Sequence, residues 1–546
     1  MSARQTNRSS LGLEEDPDSD PEEVIEEVCE ESALRDGQMM EVEVGHQNVL
    51  LIHSEGEYSA IGNQCTHYGA PLSKGVLSGT RVRCPWHGSC FNVKTGDLEE
   101  YPGIDCLPCH KVKVQNNKVY VSINKKSLRK SKRLKDMCSR VPGDNRTVLL
   151  IGGGPASLVC AETLRQENYT GRIIMVTREE LLPYDKTTLS KVMNVQSDSI
   201  LMRRMEFYHQ HDIEVRLHKE AVSVDVEKKI VTFDDGSQQS YSQLLISTGC
   251  RAKLLTCPGV HLDNIQLLET PEDARKIHYS CVGRMTVIVG TSFVGMEVAS
   301  YMIDKAKSVT VIGRNDFPYQ KTLGTEIGKL TMRMLAEKNV KFYMNDSITE
   351  IKGEKGKVKE VVLKSGVVLP ADVLIIGIGV VPNSEFLEGS AVELDAKKYV
   401  IVDKHMRTNV ADAFSAGDVA SFPLAMLKDQ KVSVGHWQMA QAQGRTAALN
   451  MLNKQVELKS IPFYWTVLLG QTFRYVGYGE GYTDVVLKWK REDTFLAFYI
   501  KDNEVVAAVS LNYDPAVSLV ADRIASGKAI SKVEAESEEI SWLKLP

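Results

Sequence analysis

The stretch "TVLLIGGGPASLVCAETLRQ", residues 147–166, decides the fold. A run of β-formers reaches a glycine cluster and passes without pause into a helix-forming segment. Gly152, Gly154 and Ser157 fall on the G-x-G-x-x-G frame. There the first glycine permits a tight turn and the second lets backbone approach a pyrophosphate at a helix N-terminus. The third position needs only a small residue for close helix–strand packing. Pro155 and Ala156 fill the turn between them. A second version, "MTVIVGTSFVGMEVASYMI" (285–303), repeats the unit with Gly290, Ser292 and Gly295. Strands alternating with helices imply parallel sheets, and the duplication implies two dinucleotide-binding domains in tandem.

Working outward, the strand "RIIMVTREE" (172–180) ends near Glu179, where an acid can hold a ribose hydroxyl. In the second unit "SVTVIGRND" (308–316) ends with Gly313 and Arg314 instead. An acid there favours NAD and an arginine can accept the 2′-phosphate of NADP, so the nucleotide is written NAD(P)H. Serine at 292 adds a side chain where a pyrophosphate should approach, which weakens the expected nicotinamide site.

Before these units, residues 26–123 read as a small antiparallel β domain with hairpins in "MEVEVGHQNVLLIHSEGEYSAIG" and "HKVKVQNNKVYVSI". Residues 14–31 hold eleven Asp or Glu and read as a solvated, disordered acidic tail, with its boundary set at 25. A basic stretch, "KKSLRKSKRLK", lies in a linker over 124–146. It reads as solvated, with a docking patch for an acidic partner or a membrane surface as the alternative. The FAD-type domain is expected over 147–280 and 397–455, and the NAD(P)-type domain over 281–396. An aromatic-rich α+β module, 456–546, is the expected seat of a homodimer contact. The fold class is thus multidomain: a small antiparallel β domain, two α/β dinucleotide-binding domains and a C-terminal α+β domain.

The chain has 546 residues, too many for one core, with 43% hydrophobic and 25% charged residues. A net charge of −5 excludes a general nucleic-acid role. The longest apolar run, "VLIIGIGVV", has nine residues and reads as a buried strand, so no transmembrane segment is expected. Without an apolar leader, and with eleven scattered cysteines, the chain is expected in a reducing compartment: cytoplasm, or the cytosolic side of an organelle.

The small domain carries the metal chemistry. Cys65 and His67 lie two apart and Cys84 and His87 three apart, with sixteen residues between the pairs. Two thiolates and two imidazoles so spaced can hold a tetrahedral zinc, or a two-iron cluster with both histidines on one iron. The flanks "CTHYGAPL" and "CPWHGSCFNVKTGD" resemble the two cluster-binding loops of Rieske [2Fe-2S] proteins. Two ferric ions, two sulfides and two thiolates sum to zero, so such a cluster accepts an electron more readily than a four-thiolate one. High-potential members bridge the loops with a disulfide. Ala70 and Trp86 stand at those places, so the resemblance is to the lower-potential type, and Cys90 reads as structural. "CLPCH" (106–110) matches a haem-attachment pattern but reads as a decoy inside a β domain.

"LLPYDKTTLSK" (181–191) has no redox-active cysteine pair and resembles the corresponding stretch of ferredoxin reductases and apoptosis-inducing-factor-like flavoproteins. The chain is identified as a member of the apoptosis-inducing-factor-like group that joins a Rieske domain to an FAD-dependent, pyridine nucleotide-disulfide oxidoreductase-type core. That resemblance implies FAD, a [2Fe-2S] cluster and NAD(P)H. It makes Lys191 and Glu297 a catalytic pair at the flavin's reactive edge. It places Lys186, Val222, Asp418 (in "ADAFSAGDVA"), His436, Trp437 and Trp465 around FAD, and Gly379 near the nicotinamide nucleotide. It also implies an electron path from NAD(P)H through FAD to the cluster and on to an unknown acceptor, and a pro-apoptotic, mitochondrion-associated role. Two rivals come from other classes. One is a redox-sensing interaction protein with bound FAD and little turnover. The other, a Rieske oxygenase, is disfavoured because two dinucleotide domains follow the cluster motif.

Overall fold

The computed structural model describes residues 22–544. The tail expected over 1–25 lies outside them as far as residue 21. Its remainder does not stay a tail: Glu23–Glu30 is an edge strand paired antiparallel with Lys118–Asn124. The pairing gives its acids partners, with Lys111 Nζ 2.7 Å from Glu23 and Lys118 Nζ 3.0 Å from Glu27. The acid count misled because it ignored Val24, Ile25 and Val28 between the charges and the lysines on the neighbouring strands.

The six-stranded sheet runs Glu23–Glu30, Lys118–Asn124, Cys109–Gln115, Glu57–Gly62, Gln47–Ser54 and Gln38–Val44. In Lys118–Asn124 the alternation is exact to the residue: Val119, Val121 and Ile123 point inward and are fully buried. A second sheet, Val76–Ser78, Arg81–Arg83, Cys90–Asn92 and Leu98–Glu100, carries the Cys/His loops. Of the haem-like segment, Cys106 is buried and Cys109 exposed, so the two thiols do not share one environment.

The first parallel sheet orders Ile213–Arg216, Arg172–Val176, Thr147–Ile151, Gln243–Ile246 and Ala413–Ser415. The second orders Ile265–Gln266, Val373–Ile376, Met285–Val289, Ser308–Ile312 and Lys341–Tyr343. Strands such as Val148–Ile151 are buried on both faces and therefore read as unbroken apolar runs rather than alternating ones. Helix α1 (Pro155–Gln166) follows the first glycine turn with proline in its first turn, where no amide donor is needed. Helix α2 (Phe293–Met302) follows the second, and helix α3 (Trp437–Met451) packs on α1. The C-terminal module is a five-stranded antiparallel sheet of Phe463–Leu468, Gln471–Gly477, Glu504–Leu511, Thr494–Lys501 and Asp484–Arg491, with helix α4 (Ala516–Ala525) against it.

The expected solvated linker is in part a strap. Arg133 exchanges two 2.8 Å backbone hydrogen bonds with Cys106, and its guanidinium donates to Leu107 O and Thr95 O. Farther on, Cys138 N donates to Arg165 O and Val141 N to Thr170 O. A run rich in Lys and Arg looks solvated in one dimension, but its backbone groups found partners on both flanking domains. Arg129 and Lys130 do remain exposed.

Candidate cofactor cleft and metal centre

Gly152 has φ +127°, and a Cβ there would lie 2.0 Å from Ser247 O, so no other residue fits. Gly154 is different: its φ is −101° and nothing lies within 4 Å of an added Cβ. That opening, at the N-terminus of α1, is the approach a pyrophosphate needs. Ser157 faces the strand instead, with Oγ 2.6 Å from Ser247 Oγ. In the second turn a Cβ on Gly290 would meet Gly377 O at 1.9 Å, and one on Gly295 would meet Gly290 O at 2.1 Å. Ser292 takes φ −91°, which any residue adopts, and its side chain lines the cleft, so the serine carries no backbone strain.

Both turns open into one cleft of about 900 Å3, room for a dinucleotide. Pro155, Ala156, Glu179, Lys186, Lys191, Val222 and Glu297 line it, as do Gly379, Asp418, His436, Trp437 and Trp465. Ser157, Gly290 and Gly295 shape the turns from behind rather than touching the cleft, and Arg314 is exposed just past the strand Ser308–Ile312. Glu179 accepts from Tyr184 Oη at 3.0 Å and has Lys186 Nζ at 3.6 Å.

Two cleft groups lack partners of their own. Burial pushes the Asp418 carboxyl up to about 6, and Lys186 only partly offsets it. Burial also pushes His436 down to about 4, and its Nδ1 has no hydrogen-bond partner. Orphaned polar atoms facing a cleft of this size fit a ligand with ribose or ribityl hydroxyls and ring heteroatoms, as FAD has. Lys191 Nζ lies 3.1 Å from Glu297 Oε2 and donates to Thr187 O at 3.0 Å. Glu297 is buried and also accepts from Ser190 Oγ at 2.5 Å and Thr466 Oγ1 at 2.8 Å.

The Cys/His loops close as the flanking residues suggested. Cys65 N donates to Ala70 O, and Cys84 N to Ser89 O, both at 2.8 Å. Cys65 and Cys84 are both buried, and the neighbouring Cys84 thiol holds Cys65 below the ordinary thiol range. The His67 and His87 rings stand edge to face with centroids 5.0 Å apart. Burial pushes His67 down to about 3, and Lys132 adds to this; burial also holds His87 well below its ordinary value. Both imidazoles are therefore neutral, the form that ligates metal. His67 Nδ1 has no partner. Among the described residues no three His, Cys, Asp or Glu side chains gather closely enough to hold one metal ion. The donors form a thiol pair and an imidazole pair, which suits a two-iron cluster and not a single zinc. Burial pushes the Cys90 thiol up to about 12, in keeping with a structural residue.

Trp465 joins the two sites. It lines the cleft, and its ring lies 4.3 Å from His87 and 5.4 Å from His67, centroid to centroid. Nearby, Tyr68 Oη donates to Asp185 Oδ2 at 3.1 Å and sits 3.2 Å from Thr187 Oγ1, itself a cleft residue. The small domain is held there by buried contacts that spacing along the chain could not reveal. Ser518 Oγ donates to Cys84 O at 2.8 Å, and Arg83 pairs with Asp522. Arg203 bridges Asp105 and Glu162, each at 2.8 Å, and Gln441 Nε2 donates to Gly103 O at 2.9 Å. Thr466 and Asp522 belong to no motif, so no signal in the sequence marks them; Ser190 and Tyr68 lie inside "LLPYDKTTLSK" and "CTHYGAPL", but spacing gave them no role.

Comparisons with known proteins agree with this geometry. Residues 146–444 match the pyridine nucleotide-disulphide oxidoreductase family, residues 25–111 the Rieske [2Fe-2S] domain and residues 463–544 the reductase C-terminal domain. The chain is 45% identical over 541 residues to apoptosis-inducing factor 3 of Homo sapiens, covering 96% of this chain and 89% of the relative. It is 29% identical over 370 residues to a rubredoxin-NAD(+) reductase of Pseudomonas putida, covering 67% of this chain and 95% of that protein. The crystal structure of a ferredoxin reductase from Rhodopseudomonas palustris superimposes with a TM-score of 0.68 at 25% identity, over 73% of this chain and 100% of its own.

Proposed function

The chain belongs to the pyridine nucleotide-disulphide oxidoreductase family, and within it to the apoptosis-inducing factor 3 group, and from that premise we propose that it passes electrons from NAD(P)H through FAD to its own Rieske [2Fe-2S] cluster and on to an acceptor. It is an FAD-dependent NAD(P)H oxidoreductase with a Rieske domain. When bound, FAD exchanges two electrons with a nicotinamide and one at a time with an iron–sulfur cluster. The observation that carries the reading is Trp465, which belongs to the cleft wall and touches both imidazoles.

The protein's own groups have separable tasks. Gly152, Gly154 and the first amides of α1 would receive a pyrophosphate; Asp418 would accept hydrogen bonds from sugar or ribityl hydroxyls, and His436 would offer its unpaired Nδ1. Glu297, pinned by Ser190 and Thr466, holds the Lys191 ammonium in the cleft wall, where a positive charge favours negative charge developing on a bound ring. Cys65, His67, Cys84 and His87 would hold the cluster, and Trp465, packed on both imidazoles, stands between them and the cleft. Among the described residues, no helix is long and apolar enough to cross a membrane. A role in cell death is the finer reading that the human relative's name suggests, tested by comparing cell viability on expression of the wild type and of Cys84→Ala.

The deciding experiment is an anaerobic titration with NADH and with NADPH, followed by absorbance and low-temperature EPR. Flavin bleaching together with a Rieske-type EPR signal is expected. Bleaching without that signal would refute the path to the cluster, and no bleaching with either donor would refute the reductase.

A further inference from the structure

The second nucleotide unit repeats the first with one chemical change. In the first, the strand Arg172–Val176 is followed by Thr177, Arg178 and Glu179, and Glu179 lines the cleft. In the second, Ser308–Ile312 is followed by Gly313 and Arg314. The strand end lies directly on the glycine turn, since Gly290 N donates to Ile312 O at 2.9 Å. A Cβ at Gly313 would fall 2.5 Å from Thr291 Cγ2, so that position is packed against the turn and has no side chain with which to read a ribose. Tyr319 N donates to Thr291 O at 2.9 Å, which folds residues 313–319 back over the same turn. Arg314 is thus the first side chain at the place where the adenine ribose is read. It is exposed, and among the described residues no carboxylate lies within ion-pair distance of it.

Resting on the oxidoreductase reading, we propose that this site selects NADPH over NADH and that Arg314 reads the 2′-phosphate. A guanidinium without a competing carboxylate offers a planar pair of donors to a phosphate, whereas the 2′-hydroxyl of NADH would find no acid at 313 or 314 to accept its proton. Asp316, exposed two residues farther on, is the one acid of residues 313–319 and would oppose a 2′-phosphate by its charge.

The test uses the full-length, FAD-loaded protein and two readouts. Calorimetry compares 2′-phospho-ADP-ribose with ADP-ribose, and stopped-flow absorbance compares flavin reduction by NADPH and NADH. The phosphorylated ligand is expected to bind at least about tenfold more tightly at low salt. Arg314→Ala should bring the two ligands within about threefold, Arg314→Glu should reverse the order, and Asp316→Asn should widen the preference for the phosphate. Unchanged flavin absorbance and melting temperature would show that these surface variants fold. Equal or tighter binding of ADP-ribose by the wild type, or a ratio that neither Arg314 variant moves, overturns the inference. If neither nucleotide reduces the flavin while the 2′-phosphate is still selected, the oxidoreductase reading fails and the assignment of Arg314 stands.

Discussion

Replacing Asp522 by Asn tests whether the Rieske domain is locked onto the reductase. Ser518 and Asp522 lie four residues apart on α4 and so share a face, and both grip the second cluster loop. Ser518 takes the carbonyl of Cys84, while Asp522 pairs with Arg83, the residue before that ligand. The side chains of Arg83 and Asp522 are 8% and 5% exposed, and Arg83 Nη1 also donates to Gly88 O at 3.2 Å. An exposed ion pair would contribute at most about 1 kcal/mol. Here Asn would leave a guanidinium buried without its counter-charge, at a cost of about 3–5 kcal/mol. The assay is urea unfolding followed by the visible absorbance of the cluster and, separately, by flavin fluorescence. The cluster midpoint should fall. Stopped-flow mixing with NADPH should show flavin reduction unchanged and cluster reduction slowed. The double variant Arg83→Met/Asp522→Leu, which removes both charges, should recover most of the stability. A loss below about 1 kcal/mol in Asp522→Asn, or a double variant no better than the single one, would refute the buried-pair argument.

Three further outcomes follow from the same geometry. Gly88→Ala places a methyl 2.6 Å from the Phe463 ring at φ +83° and should cost about 1–3 kcal/mol and loosen the cluster loop, measured as faster cluster loss to a chelator. Gly69→Ala, at φ +81° with nothing within 4 Å, is its control and should cost only about 1 kcal/mol. Glu297→Gln removes the charge opposite Lys191 and should slow flavin reduction by about a hundredfold in stopped-flow without unfolding the protein. For Asp418 the folded pKa of about 6 lies above the ordinary 3.8, so its contribution to stability is present below 3.8 and lost as pH rises through 6. FAD-free Asp418→Asn should therefore match the wild type near pH 4 and exceed it by about 3 kcal/mol at pH 7.5, while binding FAD more weakly; thermal melting across pH checks the first and fluorescence titration the second.

Much of the architecture was legible because it is written in local patterns. Two strand–glycine–helix units, the alternation in "KVYVSI" and two Cys–His pairs each depend on residues a few positions apart, where steric and coordination rules act directly. Acid content was a poorer guide. Glu23–Glu30 became a strand because it pairs along Lys118–Asn124 and lysines on the neighbouring strands meet its acids, a fact about pairing rather than composition. The basic linker became a strap for a similar reason: Arg133 satisfies backbone carbonyls of a loop 26 residues earlier.

The sequence by itself determined the two Cys–His pairs, the two nucleotide turns and the order of the domains, since each is encoded by short-range stereochemistry. Only the tertiary structure decided that the cluster faces the cleft. Trp465 meets His67 and His87, Tyr68 meets Asp185, and Asp522 meets Arg83 across hundreds of residues. Those contacts form because buried charges and ring nitrogens must find partners wherever the packed domains bring them, and no spacing rule along one chain encodes that geometry.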